Sequence, residues 1–117
     1  MRDSASCIFC RIARGEIPAD IVHEAERLIA FRDVSPQAPE HILLIPKEHV
    51  PSVDHLTDPD AVLAGELLIA ARDIARRLGV SDSGYRLVTN IGPDGGQSVG
   101  HLHLHLLAGR SLSWPPG

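Results

Sequence analysis

Apolar positions recur along the chain in short stretches broken by polar residues, and one longer periodicity stands apart from them. Across residues 59–78, Leu63, Leu67, Ala70, Ile74 and Leu78 repeat at steps of three and four, which sets them on one stripe of a helix. Thr57 or Asp58 can cap its start, Pro59 suits its first turn, and Gly79 suits its end. Residues 7–14 carry apolar side chains at helical spacing ahead of Gly15 and predict a second, short helix. The remaining apolar stretches have the length of strands: 21–23 and 28–32 around the polar turn 24–27, then 41–45, 85–90 and 101–107. Residues 41–45 are apolar enough to be buried on both faces, and Pro46 closes them. Pro36 and Pro39 exclude regular structure between residues 35 and 40, and a glycine-rich loop at 91–100 joins the last two strands. Strands before and after one long helix, with hairpin-like connections, predict an α+β fold in which helices cover an antiparallel sheet.

Composition narrows the picture. At 117 residues the chain fits one domain spanning 1–117, with room for a single core. Its 44% apolar and 22% charged residues exclude a disordered chain, and with aromatics at 3% the core must be built from Leu, Ile, Val and Ala. No apolar run approaches the roughly 20 residues of a membrane span, and Met1 to Cys7 form no hydrophobic signal region. The expectation is a cytoplasmic protein with no membrane partner. The net charge of -4 is mild and the Lys and Arg residues are scattered, so nucleic acid is not expected as a partner either. The two cysteines, Cys7 and Cys10, form a C-x-x-C that in a reducing compartment reads as a thiol pair or half of a metal site.

The chemistry concentrates at His101-Leu102-His103-Leu104-His105-Leu106-Leu107, a strict period-2 alternation. On a strand this puts three imidazoles on one face and the leucines on the other. Alternate residues stand roughly 6.5 Å apart and the outer histidines roughly 13 Å, so the middle one is the natural point of attack on a ligand shared with a neighbour. Two other readings stand beside it. The histidines could be ordinary polar residues of a half-exposed strand, or all three could be metal ligands. The first is improbable by composition, and the second lacks an Asp or Glu on the strand to complete a hydrolytic centre.

This run, with Gly96-Gln97-Ser98-Val99-Gly100 before it, resembles the His-x-His-x-His-x-x signature of the histidine triad (HIT) family. Residues 31–41 and 45–49 are similar to that family's ribose-side segment, and 109–117, ending Trp114-Pro115-Pro116-Gly117, to the tail of its Hint branch. The resemblance implies a HIT-like fold of about five antiparallel strands with one long and one short helix, the sheet continuing across a homodimer. It also implies hydrolysis of nucleoside 5′-phosphoramidates or acyl-nucleotides, typically of AMP, through a nucleotidyl-histidine. By the same resemblance His103 is the nucleophile, His105 and Gln97 contact the phosphoryl oxygens, Ser98 sits by the leaving group, and His41 supports the triad from the adjacent strand. Asp33 is the candidate for the ribose hydroxyls, though it suits a turn cap before Ser35-Pro36 as well. Asn90 matches a position near sugar and phosphate or simply closes a turn. Phe31 and Ile8 are candidates for the base pocket or for the core. Gly100 departs from the pattern, since relatives usually carry an aromatic residue there.

Some bacterial members of the family carry zinc on such a cysteine pair plus two histidines, matching His49 and His101 here. Cys7, Cys10, His49 and His101 would make a closed, structural Cys2His2 set, with two buried thiols as the plainer alternative. No organic cofactor is expected. A dinucleoside polyphosphate hydrolase of the same family is the runner-up activity, and a nucleotide-binding adaptor with vestigial catalysis the reading from another class.

Overall fold

The computed structural model describes residues 4–117; Met1, Arg2 and Asp3, which open the segment read for a signal region, lie outside the described residues. In chain order come helix α1 (Ile8–Ala13), strands β1 (Ile21–Glu24), β2 (Leu28–Arg32) and β3 (Glu40–Pro46), helix α2 (Ala61–Leu78), and strands β4 (Tyr85–Val88) and β5 (Leu104–Ala108). The strands form one antiparallel sheet in the order β1-β2-β3-β5-β4. The expected α+β architecture is therefore present, with five strands, one long helix and one short one.

Period-2 alternation divides the apolar side chains between the two faces of the sheet. Ile42 and Leu44 of β3, with Leu102, Leu104 and Leu106, join Leu67, Ala70, Ala71 and Ile74 of α2 in the larger core. Leu43 and Ile45 turn the other way, where they pack with Ile29 and Phe31 of β2 against Phe9 and Ile12 of α1. The leucines that alternate with the histidines thus face α2, and the opposite face is left to α1 and the imidazoles. No helix among the described residues is long and apolar enough to cross a membrane.

Three boundaries differ from the sequence pattern by two residues or more. The long helix becomes α-helical only at Ala61, because residues 58–60 form a 3-10 turn in which the Asp60 carboxylate accepts from the Thr57 backbone N–H at 2.9 Å and from its hydroxyl at 3.0 Å. It ends where expected, with Gly79 left-handed at φ 73°. Strand β4 stops at Val88 rather than at residue 90, where Thr89 turns its hydroxyl to the His103 carbonyl at 3.0 Å. The histidine strand starts at Leu104 instead of His101. β5 pairs with β3 up to Leu44↔Leu104; two residues further on, Pro46 has no N–H to give the ladder, and the Leu102 N–H goes to Val50 O at 2.6 Å instead.

Candidate functional site

A cavity of about 310 Å³ opens on the α1 side of the sheet, at the low end of the size that holds small ligands. Ile8 and Phe9 of α1, Phe31 of β2 and Leu43 of β3 give it an apolar wall, while Asp33, Ser98, His103 and His105 give it polar groups. Phe9 meets Phe31 edge-on at 5.6 Å between ring centroids and meets His103 at 5.2 Å. One side of the cavity suits a flat apolar ring. The other collects imidazole, carboxylate and hydroxyl.

Backbone groups fix the tautomers of the imidazoles. His103 Nδ1 lies 2.7 Å from the His101 carbonyl, which can only accept, so Nδ1 carries the proton and Nε2 the lone pair. His41, buried on β3, receives the Gln37 backbone N–H on Nδ1 at 3.0 Å, so its proton is on Nε2. That nitrogen is 2.9 Å from His105 Nδ1 and 3.4 Å from Asp33 Oδ2. His105 must then accept at Nδ1 and carry its own proton on Nε2. A nucleophilic nitrogen and an N–H donor therefore stand on neighbouring rings, whose centroids are 5.0 Å apart.

Burial keeps both supporting rings neutral. It pushes the His105 pKa down to about 4, helped by the nearby His103 and His41 and opposed by Asp33. Burial also lowers His41, again against the pull of Asp33.

Beyond His103, the chain turns His101 into a different group of side chains. The ligand atoms of Cys7, Cys10, His49 and His101 all lie within 4.8 Å of one another, close enough to hold one metal ion. Cys7 Sγ is 3.3 Å from His101 Nδ1, Cys10 Sγ is 3.3 Å from His49 Nδ1, and Cys10 Sγ is 3.5 Å from His101 Nδ1. Tetrahedral zinc with ordinary Zn–S and Zn–N bonds would separate sulfur from nitrogen by about 3.5 Å. His101 Nε2 lies 2.9 Å from the Pro46 carbonyl, which leaves the Nδ1 lone pair facing the sulfurs. The donor set and its spacing fit such an ion.

A HIT domain model matches residues 14–112 of the chain. The chain belongs to the HIT family. It is 54% identical over 114 residues to a HIT-like protein of Synechococcus elongatus, covering 97% of this chain and 99% of that relative. Its structure is similar to that of a HIT family hydrolase from Legionella pneumophila Philadelphia 1, with a TM-score of 0.94, 51% identity, and coverage of 96% of this chain and 100% of that one. A histidine triad protein from Clostridium difficile follows at a TM-score of 0.93 and 42% identity, covering 95% and 96% respectively.

Of the residues singled out in the sequence, this HIT protein brings His103, His105, Ser98, Asp33, Phe31 and Ile8 to one cavity, with His41 behind His105. Asp33 caps the turn, its Oδ1 accepting the Ser35 N–H at 2.8 Å, while its Oδ2 faces His41 Nε2 at 3.4 Å. Gln97 and Asn90 lie elsewhere. The Gln97 amide donates to Pro51 O at 2.6 Å and Val99 O at 3.0 Å and accepts from the Gly92 N–H at 3.0 Å, so both of its N–H donors tie the loop down. Asn90 Nδ2 closes the same loop onto Gly95 O at 2.7 Å. Added bulk at Gly100 would meet open space.

Two positions that shape the cavity and its imidazoles escape the sequence reading. Gln37 acts through its backbone N–H, which no side-chain pattern displays. Phe9, which touches Phe31 and both buried triad histidines, was hidden inside the C-x-x-C, and its place as the aromatic between two paired cysteines was the available signal.

Proposed function

We propose that this HIT protein hydrolyses nucleoside 5′-phosphoramidates or acyl-nucleotides, with adenosine as the nucleoside, through a covalent nucleotide on His103. The observation that carries this reading is the tautomer pair: an Nε2 lone pair on His103 beside an N–H donor on His105, at the polar end of a cavity whose other wall is aromatic. The base packs against Phe31 and Ile8, and the Asp33 carboxylate accepts from the ribose hydroxyls.

His103 Nε2 attacks the α-phosphorus, forming a P–N bond as the bond to the leaving amine or carboxylate breaks. The His105 N–H stabilises the negative charge growing on the phosphoryl oxygens. Ser98 supplies the hydrogen bond or proton that a departing amine needs. Water then attacks the same phosphorus as the P–N bond breaks, its proton going to the Ser98 oxygen where that gave one up and otherwise to solvent; AMP departs, and His103 recovers its lone pair while Nδ1–H stays on the His101 carbonyl. Because His105 is neutral, it works as an oriented dipole rather than as a cation.

Cys7, Cys10, His49 and His101 hold a structural zinc ion in this reading, since the set is closed and lies to one side of His103. A cytoplasmic homodimer is the assembly that goes with it. The test is steady-state hydrolysis of an adenosine phosphoramidate by wild type and His103→Ala. Turnover that vanishes in the variant while AMP still binds supports the assignment; a variant that keeps most of the rate overturns it. Preference for a diadenosine polyphosphate over the phosphoramidate would shift the substrate to the family's other class.

A further inference from the structure

We infer that Cys7 and Cys10 form a peroxide-sensitive dithiol whose oxidation loosens α1 and opens the wall of the nucleotide cavity. Its effect on nucleotide binding rests on the function proposed above; the modification itself does not.

The two sulfurs differ in a way that suits ordered oxidation. Cys7 is the N-cap of α1, partly exposed, and its Sγ accepts the Cys10 N–H at 3.4 Å. Cys10 is wholly buried one turn on, and the two Sγ atoms lie within 4.8 Å of each other. A partly exposed cysteine beside a wholly buried one is the arrangement of an attacking and a resolving cysteine. The Cys7 sulfur attacks a peroxide oxygen, the O–O bond breaks, and the products are a sulfenic acid on Cys7 and water or an alcohol. The Cys10 thiol then attacks the Cys7 sulfur and displaces a second water. Overall two thiols are oxidised to one disulfide and one peroxide is reduced by two electrons.

The structural consequence follows from what α1 carries. A helix of six residues has little stability of its own and is held by what it packs on. Two of its attachments are the contacts of Cys7 and Cys10 with His101 and His49, at 3.3 to 3.5 Å. A disulfide draws both sulfurs toward each other and ends their use as metal ligands. Ile8, Phe9 and Ile12 of the same helix line the cavity, and Phe9 rests on both His101 and His103. His101 in turn presents the carbonyl that holds the His103 proton. A change at the two sulfurs thus reaches the apolar wall through α1 and the nucleophile through His101.

The experiment treats reduced, metal-loaded wild-type protein with hydrogen peroxide and reads three signals: peptide mass mapping of Cys7 and Cys10, amide hydrogen exchange across α1, and AMP affinity by calorimetry. The expected result is a Cys7–Cys10 disulfide, faster exchange from Phe9 to Ala13, and AMP binding weaker by about tenfold, the scale of losing one packed aromatic wall, restored by dithiothreitol and zinc. The Cys7→Ser protein, compared with itself before and after peroxide, should form no Cys7–Cys10 disulfide and show no further acceleration of exchange in α1; a further acceleration without the disulfide would overturn the proposal. Thiols that stay unlinked when a free peptide thiol is fully oxidised overturn the proposal, and so does a disulfide that leaves exchange in α1 unchanged. If reduced protein binds no AMP, the nucleotide reading fails by itself, and a disulfide with accelerated exchange still supports the redox site.

Discussion

His41 shows how the backbone around a buried side chain sets its tautomer. With Gln37 N–H on its Nδ1, it can only donate from Nε2, and that donation fixes which nitrogen of His105 carries the proton. Replacing His41 with Ala should lower kcat on an adenosine phosphoramidate by about 10- to 100-fold, the usual scale for losing an orienting partner, with KM little changed. A fall confined to KM would mean that His41 shapes the pocket rather than His105. The same burial makes stability depend on pH. The His105 pKa in the fold is about 4, below the value of about 6.5 in an unfolded chain. On acidification the unfolded state therefore takes the proton first. The stabilisation from keeping His105 neutral is complete above about pH 6.5 and is lost as pH falls from there to about 4, and His41, shifted the same way, adds to the loss. Urea midpoints should drop between about pH 7 and about pH 5. A level midpoint across that interval would contradict the shifts.

At the scale of elements, α2 and α1 owe their positions to different forces. Ile74 on α2 is 2% exposed in the main core, so Ile74→Ala should cost about 2–5 kcal/mol in denaturant unfolding. A loss under about 1 kcal/mol would mean that the helix repacks freely. The stripe that places it was legible in the sequence, because a period of three and four survives whatever the helix packs against. α1 was legible as a helix but not as a wall of the site, since its six residues show nothing of the sheet beneath them. Purified without a histidine tag from zinc-replete medium, the protein should carry about one zinc per chain, and chelation should lower its melting temperature. Less than about a tenth of an equivalent would count against the Cys2His2 site. At the end of β5, Gly109 has φ 95° and sits where an added Cβ would stand 2.7 Å from Pro39 Cβ. Gly109→Ala should therefore destabilise by more than about 1 kcal/mol in the same assay.

For the whole molecule, β4 is an edge strand, and the tail that follows β5 is fastened to it. The Arg86 guanidinium of β4 donates to the carbonyls of Leu112 and Ser113 at 3.3 and 2.8 Å, and Trp114 beyond them is 81% exposed. An unpaired edge beside an exposed tryptophan is a surface that pairing with a second copy would cover. We expect a dimer by sedimentation, with β4 pairing across the two-fold and the tail reaching toward the partner's cavity. Truncation after Arg110 should then change the preference among phosphoramidate leaving groups more than it changes stability. Unaltered selectivity across a leaving-group series would remove the tail from the site.

The sequence by itself determined the α+β architecture, the division of the sheet into a leucine face and a histidine face, and the candidate residues His103, His105, Asp33 and Ser98. The architecture, the two faces and the histidines follow from periodicity, which survives because alternation and helical repeat are properties of the chain alone, while Asp33 and Ser98 come with the resemblance to the HIT family. Only the tertiary structure decided where the histidine strand begins, since that depends on Pro46 lying opposite it in β3. It also decided that the Gln97 amide ties its loop to Pro51, that Asn90 closes that loop onto Gly95, and that His101 turns to two cysteines more than ninety residues away in sequence. Hydrogen bonds are satisfied by whatever group the fold brings within about 3 Å. A polar residue's role is therefore settled by its neighbours in space, and for Gln37 that role belongs to a backbone N–H that every residue but proline possesses.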